Sequence, residues 1–287
     1  MGIDNIYGGA SMNPITVMVN GLPGNMAATV ARHVVNDSRF DLIPFSLTGA
    51  DISFSEFKLG NMLIRLLHPD NRDAAIGDVV KKYPGIIMVD YTHPSAVNAN
   101  AVFYARHHLP FVMGTTGGDR KTLENTVAAS ATAAVIAPNM AKQIVGLQAM
   151  LEYGAAHFPD LYKGYSLKVR ESHQHGKADT SGTAKAIVGY FNRMGIPFTE
   201  KDIQMERNPD AQRKAWGIPE AYIGGHGWHT YTLTSEDQTV TFEFTHNVNG
   251  RDVYALGTLD AVVYLHAKIS QGIQGRVFSM IDVLQGA

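Results

Sequence analysis

The sequence predicts an α/β protein: a doubly wound parallel sheet first, then a smaller α+β unit built on a mixed or antiparallel sheet. Three observations predict it. Short, nearly continuous apolar segments such as "ITVMVN" and "IIMVD" alternate with helical segments up to residue 137, as strands do when helices cover both faces of a parallel sheet. Beyond Pro138-Asn139 the pattern changes, with Tyr165, Leu167 and Val169 opposing Ser166, Lys168 and Arg170. Such alternation marks a sheet with one solvated face. Finally, a glycine-spaced turn, "NGLPGNMA", joins the first strand to the first helix.

Each element has its own local reason. Ile15–Asn20 is rich in β-branched residues, and residues 26–35 follow with helical spacing. Residues 42–47 read as a second strand and 62–66 as a further one. Helix 74–82, strand 86–90, helix 96–106, strand 111–114, helix 120–129 and strand 133–137 complete the first domain. A helix over 143–157 leads into alternating strands near 165–170, 228–234 and 240–245, the last two joined by "SEDQ". A helix over 183–194 stops at Gly195, before Pro197. Residues 251–268 and 277–284 have helical patterns that return the chain to the first domain. The expected division is 1–139 with 251–287 for a dinucleotide, and 140–250 for substrate binding and self-association. Chain crossings near 138–142 and 249–251 predict a closing hinge.

Composition removes several function classes. With 24 Lys+Arg against 26 Asp+Glu and no basic block, nucleic acid and membrane surfaces are not expected partners. Cysteine is absent, which excludes disulfides, thiolate nucleophiles and cysteine-ligated zinc. No apolar run has the roughly 18 residues of a membrane span. The N-terminal "MGIDNIYGGASMNP" is neither a signal peptide nor an Arg-rich transit peptide, and Ile6 breaks a myristoylation pattern. A cytoplasmic setting is therefore expected.

Gly21, Gly24 and Ala27 give the spacing G-x-x-G-x-x-A at the first strand–helix junction. There, backbone amides approach a pyrophosphate and the helix N-terminus adds a favourable dipole. The competing reading is a plain turn. A Rossmann-like nucleotide site at this position would use Gly21, Leu22, Pro23, Gly24, Asn25 and Met26. Ser46 and Thr48 stand where an NAD site carries an acid, with Asp51 late and no arginine for a 2′-phosphate. This favours NADPH over NADH. "DYTHP", with Tyr91 and Thr92, and "GTTGG", with Gly114, Thr115 and Thr116, end two strands at the same sheet edge.

The stretch "ESHQHGKADTSGTAK", residues 171–185, concentrates the remaining chemistry. Ser181 or Thr180 caps the next helix, so Ser181, Gly182 and Thr183 present amides and hydroxyls to an anion. Lys177 supplies a cation and His173 a proton donor near neutral pH. Three other readings compete. Zinc on His173 and His175 lacks a third ligand, a Ser181-centred triad lacks a nucleophile elbow, and a capped polar loop needs no ligand.

This stretch resembles the E-x-H-[HQ]-x-x-K-x-D…S-G-T-A motif of the dihydrodipicolinate reductases. "VNGLPGNMA", "VDYTHP", "FVMGTTGGDR", "APNMAKQ" and "THNVNGRDVYALGTLDAV" match in the right order, so the resemblance covers nearly the whole chain. "ESHQ", "GTTGGDR", "HNV-x-GR" and "MIDVL" are most similar to the plant-type branch. The resemblance implies NAD(P)H-dependent reduction of 4-hydroxy-tetrahydrodipicolinate to tetrahydrodipicolinate, in diaminopimelate and lysine biosynthesis. It casts His173 as proton donor and Lys177 as second catalytic cation. Gln174, Ser181, Gly182, Thr183 and Arg251 would hold the dicarboxylate; Pro138, Asn139 and Met140 would join the cofactor loops. No metal is expected, and the open sheet face of the second domain suggests a homo-oligomer, dimer or tetramer. The alternatives are a related reductase acting on another anionic cyclic imine or carbonyl compound, and a non-catalytic nucleotide-binding module.

Overall fold

A computed structural model describes residues 13–286; the N-terminal targeting readings at residues 1–12 lie outside it. The chain divides into two units, one running to Pro138 and resuming at Ala255, the other Asn139–Tyr254. The return crossing thus comes later than 249–251, and Arg251 falls in the second unit.

The first unit runs β1 (Ile15–Asn20), α1 (Asn25–Val35), β2 (Phe40–Leu42), β3 (Phe45–Leu47), β4 (Glu56–Leu59), β5 (Met62–Leu67), α2 (Arg72–Lys82), β6 (Ile87–Asp90), α3 (Val97–Arg106), β7 (Phe111–Met113), α4 (Arg120–Ala128) and β8 (Ala133–Ile136). The second holds α5 (Lys142–His157), β9 (Ser166–His173), α6 (Gly182–Arg193), β10 (Gln204–Glu206), α7 (Pro209–Lys214), β11 (His226–Thr234) and β12 (Thr241–Asn249). Then α8 (Asp252–Ser270), β13 (Arg276–Phe278) and α9 (Met280–Gly286) carry the chain back. Among the described residues no helix is long and apolar enough to cross a membrane.

Six strands form one sheet in the order β13-β8-β7-β6-β1-β2, every neighbouring pair parallel. Their apolar residues are buried to match: Val17, Met18, Val19, Ile87, Met88, Val89, Phe111, Val112 and Met113 are all 0% exposed. The chain order reverses between β1 and β6, and ligands of doubly wound folds bind beyond the carboxyl ends of strands at such a switch.

Two expectations fail here for local reasons. Residues 42–47 are not one strand. Pro44 lacks an N–H and restrains Ile43, so β2 joins β1 while β3 joins β5 and β4 in a separate three-stranded sheet. Residues 277–284 are not one helix. β13 pairs with β8, and Ser279 then starts α9. Its amide and hydroxyl both donate to Asp282 Oδ2, at 2.7 and 2.6 Å, a capping-box arrangement written in "SMID".

The second unit's sheet has the order β10-β9-β11-β12, with β9–β11 and β11–β12 antiparallel and β10 parallel to β9. Val169, Tyr231 and Leu233 pack with Ala184, Ile187, Val188 and Phe191 of α6. Burying each such side chain contributes roughly 1.5–3 kcal/mol. The same strand face continues past this core, by the two-residue period, to Glu171 and His173.

Candidate active site

The first unit carries the expected glycine turn. Gly21 has φ +105°, and a Cβ there would lie 2.2 Å from the Tyr91 carbonyl oxygen. Only glycine lets the turn after β1 cross the turn after β6. Gly24 donates its amide to Gly21 O at 2.8 Å, and Ala27 is fully buried. α1 begins at Asn25 with no side-chain cap and no acid in its first turn, which leaves its amides and dipole for an anion. Gly24 and Asn25 are exposed, Pro23 and Met26 half-buried, and Leu22 is tucked inside.

Other members of the expected cofactor set are differently used. Ser46 is 0% exposed; its hydroxyl accepts Leu22 N at 3.4 Å and donates to Leu47 O. It supports the glycine turn from behind instead of presenting itself to a ribose. Met140 is 2% exposed and belongs to the core. Asn139 Oδ1 accepts Ala141 N at the entry to α5, Pro138 and Thr116 are exposed, and Gly114 is half-buried. The Tyr91 ring packs where a Gly114 Cβ would stand. Its hydroxyl is 2.5 Å from Thr258 Oγ1, and burial pushes the phenol pKa up.

Sequence reasoning missed the group that organises these loops. Asp90, 0% exposed at the end of β6, accepts Thr92 N (3.0 Å), Thr92 Oγ1 (2.7 Å), Thr115 Oγ1 (2.9 Å), Asn100 Nδ2 (3.0 Å) and Tyr104 OH (2.6 Å). Asn20 links the network to β3 through Tyr104 OH and Leu47 N. The Thr92 and Thr115 hydroxyls are therefore committed to Asp90. Burial first, then the Asp90 charge, holds the Tyr104 phenol well above its ordinary pKa.

In the second unit, His173, Gln174, Lys177, Ser181, Thr183, Arg251 and Tyr254 line one pocket. Gly182 is the first residue of α6. Glu171 is fully buried beneath them and joined to Arg207 Nη2. Its Oε2 accepts Ser181 N at 3.0 Å, and His173 Nδ1 stands 3.6 Å from Oε1. Burial alone would push this carboxyl up. Neighbouring His173, Arg207 and the Ser181 amide outweigh burial and hold it at about 2.

Two details of the cradle differ from expectation. The Ser181 amide is spent on Glu171, and the Ser181 side chain makes no cap hydrogen bond. The open donors are instead the first amides of α6, from Gly182 onward, which have no intrahelical acceptor. Lys177 Nζ is not a lone cation; it donates to Asp179 Oδ1 at 2.7 Å. His175 is exposed, with Nδ1 on Arg207 O.

Residues far along the chain complete the loop. Arg207 Nε donates to Lys177 O at 2.8 Å and Gln212 Nε2 to His173 O at 2.7 Å. A Cβ on Gly227, the register partner of His173, would lie 3.3 Å from His173 Nε2, so glycine there leaves room for the imidazole. His229 and His246 complete the row across from Glu171. Desolvation first pushes both below the ordinary histidine pKa, His246 to about 4. The arrangement offers one anion cradle, cations on its rim and one imidazole backed by a carboxylate.

Comparisons with known proteins identify the family. The N-terminal model of dihydrodipicolinate reductase matches residues 15–140 and the C-terminal model residues 143–284. The chain is 44% identical over 273 residues to 4-hydroxy-tetrahydrodipicolinate reductase 2, chloroplastic, of Arabidopsis thaliana, covering 95% of this chain and 78% of that protein. It is 42% identical to a probable chloroplastic counterpart from Oryza sativa subsp. japonica (94% and 82% covered). A Burkholderia ambifaria reductase is 28% identical (93% and 98%). In fold, the dipicolinate-bound dihydrodipicolinate reductase of Paenisporosarcina sp. TG-14 superposes with a TM-score of 0.64 at 17% identity, covering 93% of this chain and 97% of that one. One expectation is overturned: four plant relatives are chloroplastic, which points to a plastid and not to the cytoplasm. With both halves of the family model matched in order along a chain that shares over 40% of its residues with plant members, the protein belongs to the dihydrodipicolinate reductase family.

Proposed function

We propose that the protein reduces 4-hydroxy-tetrahydrodipicolinate to tetrahydrodipicolinate with a pyridine nucleotide, in diaminopimelate and lysine biosynthesis. The observation that carries this reading is the pocket of the second unit. Lys177, Arg251 and the open N-terminus of α6 surround His173, a setting for two carboxylates and one proton. The negative charge of Glu171 is already matched by Arg207. The glycine turn of the first unit fits a dinucleotide, since α1 starts there with its first amides uncapped and no acid beside them. The bound nicotinamide supplies hydride.

Loss of the 4-hydroxyl as water leaves a conjugated ring imine; hydride addition then leaves negative charge that needs one proton. His173 delivers it from Nε2, while Glu171 faces Nδ1 from beneath and orients the ring. Lys177 and Arg251 hold the carboxylates, with Gly182 and Thr183 amides and Gln174 beside them. Of the two nucleotides we favour NADPH, because β3 carries no acid to grip a ribose. Asp51, whose Oδ1 lies where a Gly49 Cβ would stand, is the nearest one. D51A is expected to widen the ratio of kcat/KM for NADPH over NADH, and a narrowed ratio contradicts the preference. β12, exposed along most of its length at the sheet edge, supports self-association.

Purified protein should oxidise NADPH with freshly formed substrate and yield tetrahydrodipicolinate, with pyridine-2,6-dicarboxylate competing. Nucleotide binding without turnover would instead favour the non-catalytic module. Faster turnover of a mono-carboxylate imine would favour another reductase.

A further inference from the structure

Glu171, His229 and His246 are register partners across β9, β11 and β12, and His173 lies one pair further along. Five buried imidazole nitrogens here, His173 Nδ1 and both ring nitrogens of His229 and His246, have no hydrogen-bond partner among the described residues; of these, His173 Nδ1 and His229 Nε2 face Glu171. Both turn towards one carboxylate: His173 Nδ1 is 3.6 Å from Glu171 Oε1, and His229 Nε2 is 3.8 Å from Oε2. The three donor atoms lie within 4.8 Å of one another.

We propose that Glu171, His173 and His229 form a binding site for a divalent transition-metal ion of the zinc type. Resting on the reductase reading above, we further infer that its occupation switches the enzyme off. Two imidazoles and a carboxylate are a known zinc donor set, with the fourth position left to solvent or ligand. Metal–ligand bonds of about 2.0–2.2 Å place tetrahedral donors roughly 3.3–3.5 Å apart, so donor atoms that now lie within 4.8 Å of one another draw together by up to about 1.3 Å when an ion binds. Imidazole nitrogens select such an ion over magnesium or calcium. Each Glu171 oxygen already accepts one hydrogen bond, from Arg207 or Ser181, and keeps a second lone pair. The Arg207 charge weakens the site, so the ion binds reversibly. An ion on Nδ1 deprives His173 of the second proton it needs to act as an acid. The fourth position opens to the pocket that His173 and His229 line.

The test uses chelator-treated full-length protein titrated with Co²⁺, whose visible spectrum reports low coordination number. One ion per chain with an intense d–d band is expected, and it should be lost in His229→Gln but kept in His175→Gln. Circular dichroism and thermal unfolding check that both variants fold. No band, or a band that survives His229→Gln in folded protein, overturns the site. Zn²⁺ should then reduce reductase turnover at least tenfold in wild type, reversed by chelator, with the His229→Gln remnant activity insensitive to it. Full turnover with Zn²⁺ bound overturns the switch. Absence of turnover before any metal is added would instead refute the reductase reading and leave the spectroscopic result standing.

Discussion

His173 owes its position to a period of two. Leu167 and Val169 set the inward face of β9, in step with Tyr165 just before it, and two more steps along it reach Glu171 and then His173. The alternation was legible in the sequence, and extending it by one step would have found Glu171. Arg207 was not legible: it lies 36 residues from Glu171 in no motif, and only folding brings it there. At this scale, Lys177→Ala is expected to lower kcat by about two decades, as loss of a positioned catalytic group does. Unchanged steady-state turnover would refute its assignment. Glu171→Gln leaves Arg207 without its buried partner, and breaking such a pair costs about 3–5 kcal/mol. Denaturant unfolding should show that loss, and a second change, Arg207→Gln, should restore part of it. An undiminished midpoint in the single variant contradicts the pairing.

Among elements, the parallel strands were the easiest to read, because burial on both faces makes their segments nearly continuously apolar. Boundaries set by proline and by caps were harder. Pro44 redirects the chain between two sheets, and "SMID" ends a strand and starts a helix within a few residues. The cofactor loops were legible as glycine and threonine patterns, but their organiser was not. Asp90 reads in the sequence as the last residue of a strand, and its five donors come from residues 92, 100, 104 and 115. Asp90→Ala is therefore expected to raise KM for the nucleotide about tenfold or more, by loosening both loops, with a smaller effect on KM for the dicarboxylate. Equal changes in both constants would indicate general destabilisation instead.

For the whole molecule, buried groups give stability a definite pH dependence. In metal-free protein the folded state holds His246 at about 4, against 6.5 for a free histidine. It therefore binds fewer protons than the unfolded chain, and stability falls as pH drops from about 6.5 towards 4. Glu171, at about 2 against 4.5, adds a further loss between those values. The thermal midpoint should hold near neutrality and decline below pH 6.5, and His246→Gln should flatten the upper part of the decline. A midpoint that rises on acidification contradicts both assignments.

The central claim is that a proton held on His173, above an anion pocket, completes a hydride transfer. It is tested most directly by steady-state turnover of His173→Gln with saturating nucleotide and 4-hydroxy-tetrahydrodipicolinate, alongside a fluorescence titration of NADPH. The account predicts a fall in kcat of about a hundredfold or more, with nucleotide affinity unchanged. Turnover equal to that of the wild type would contradict it.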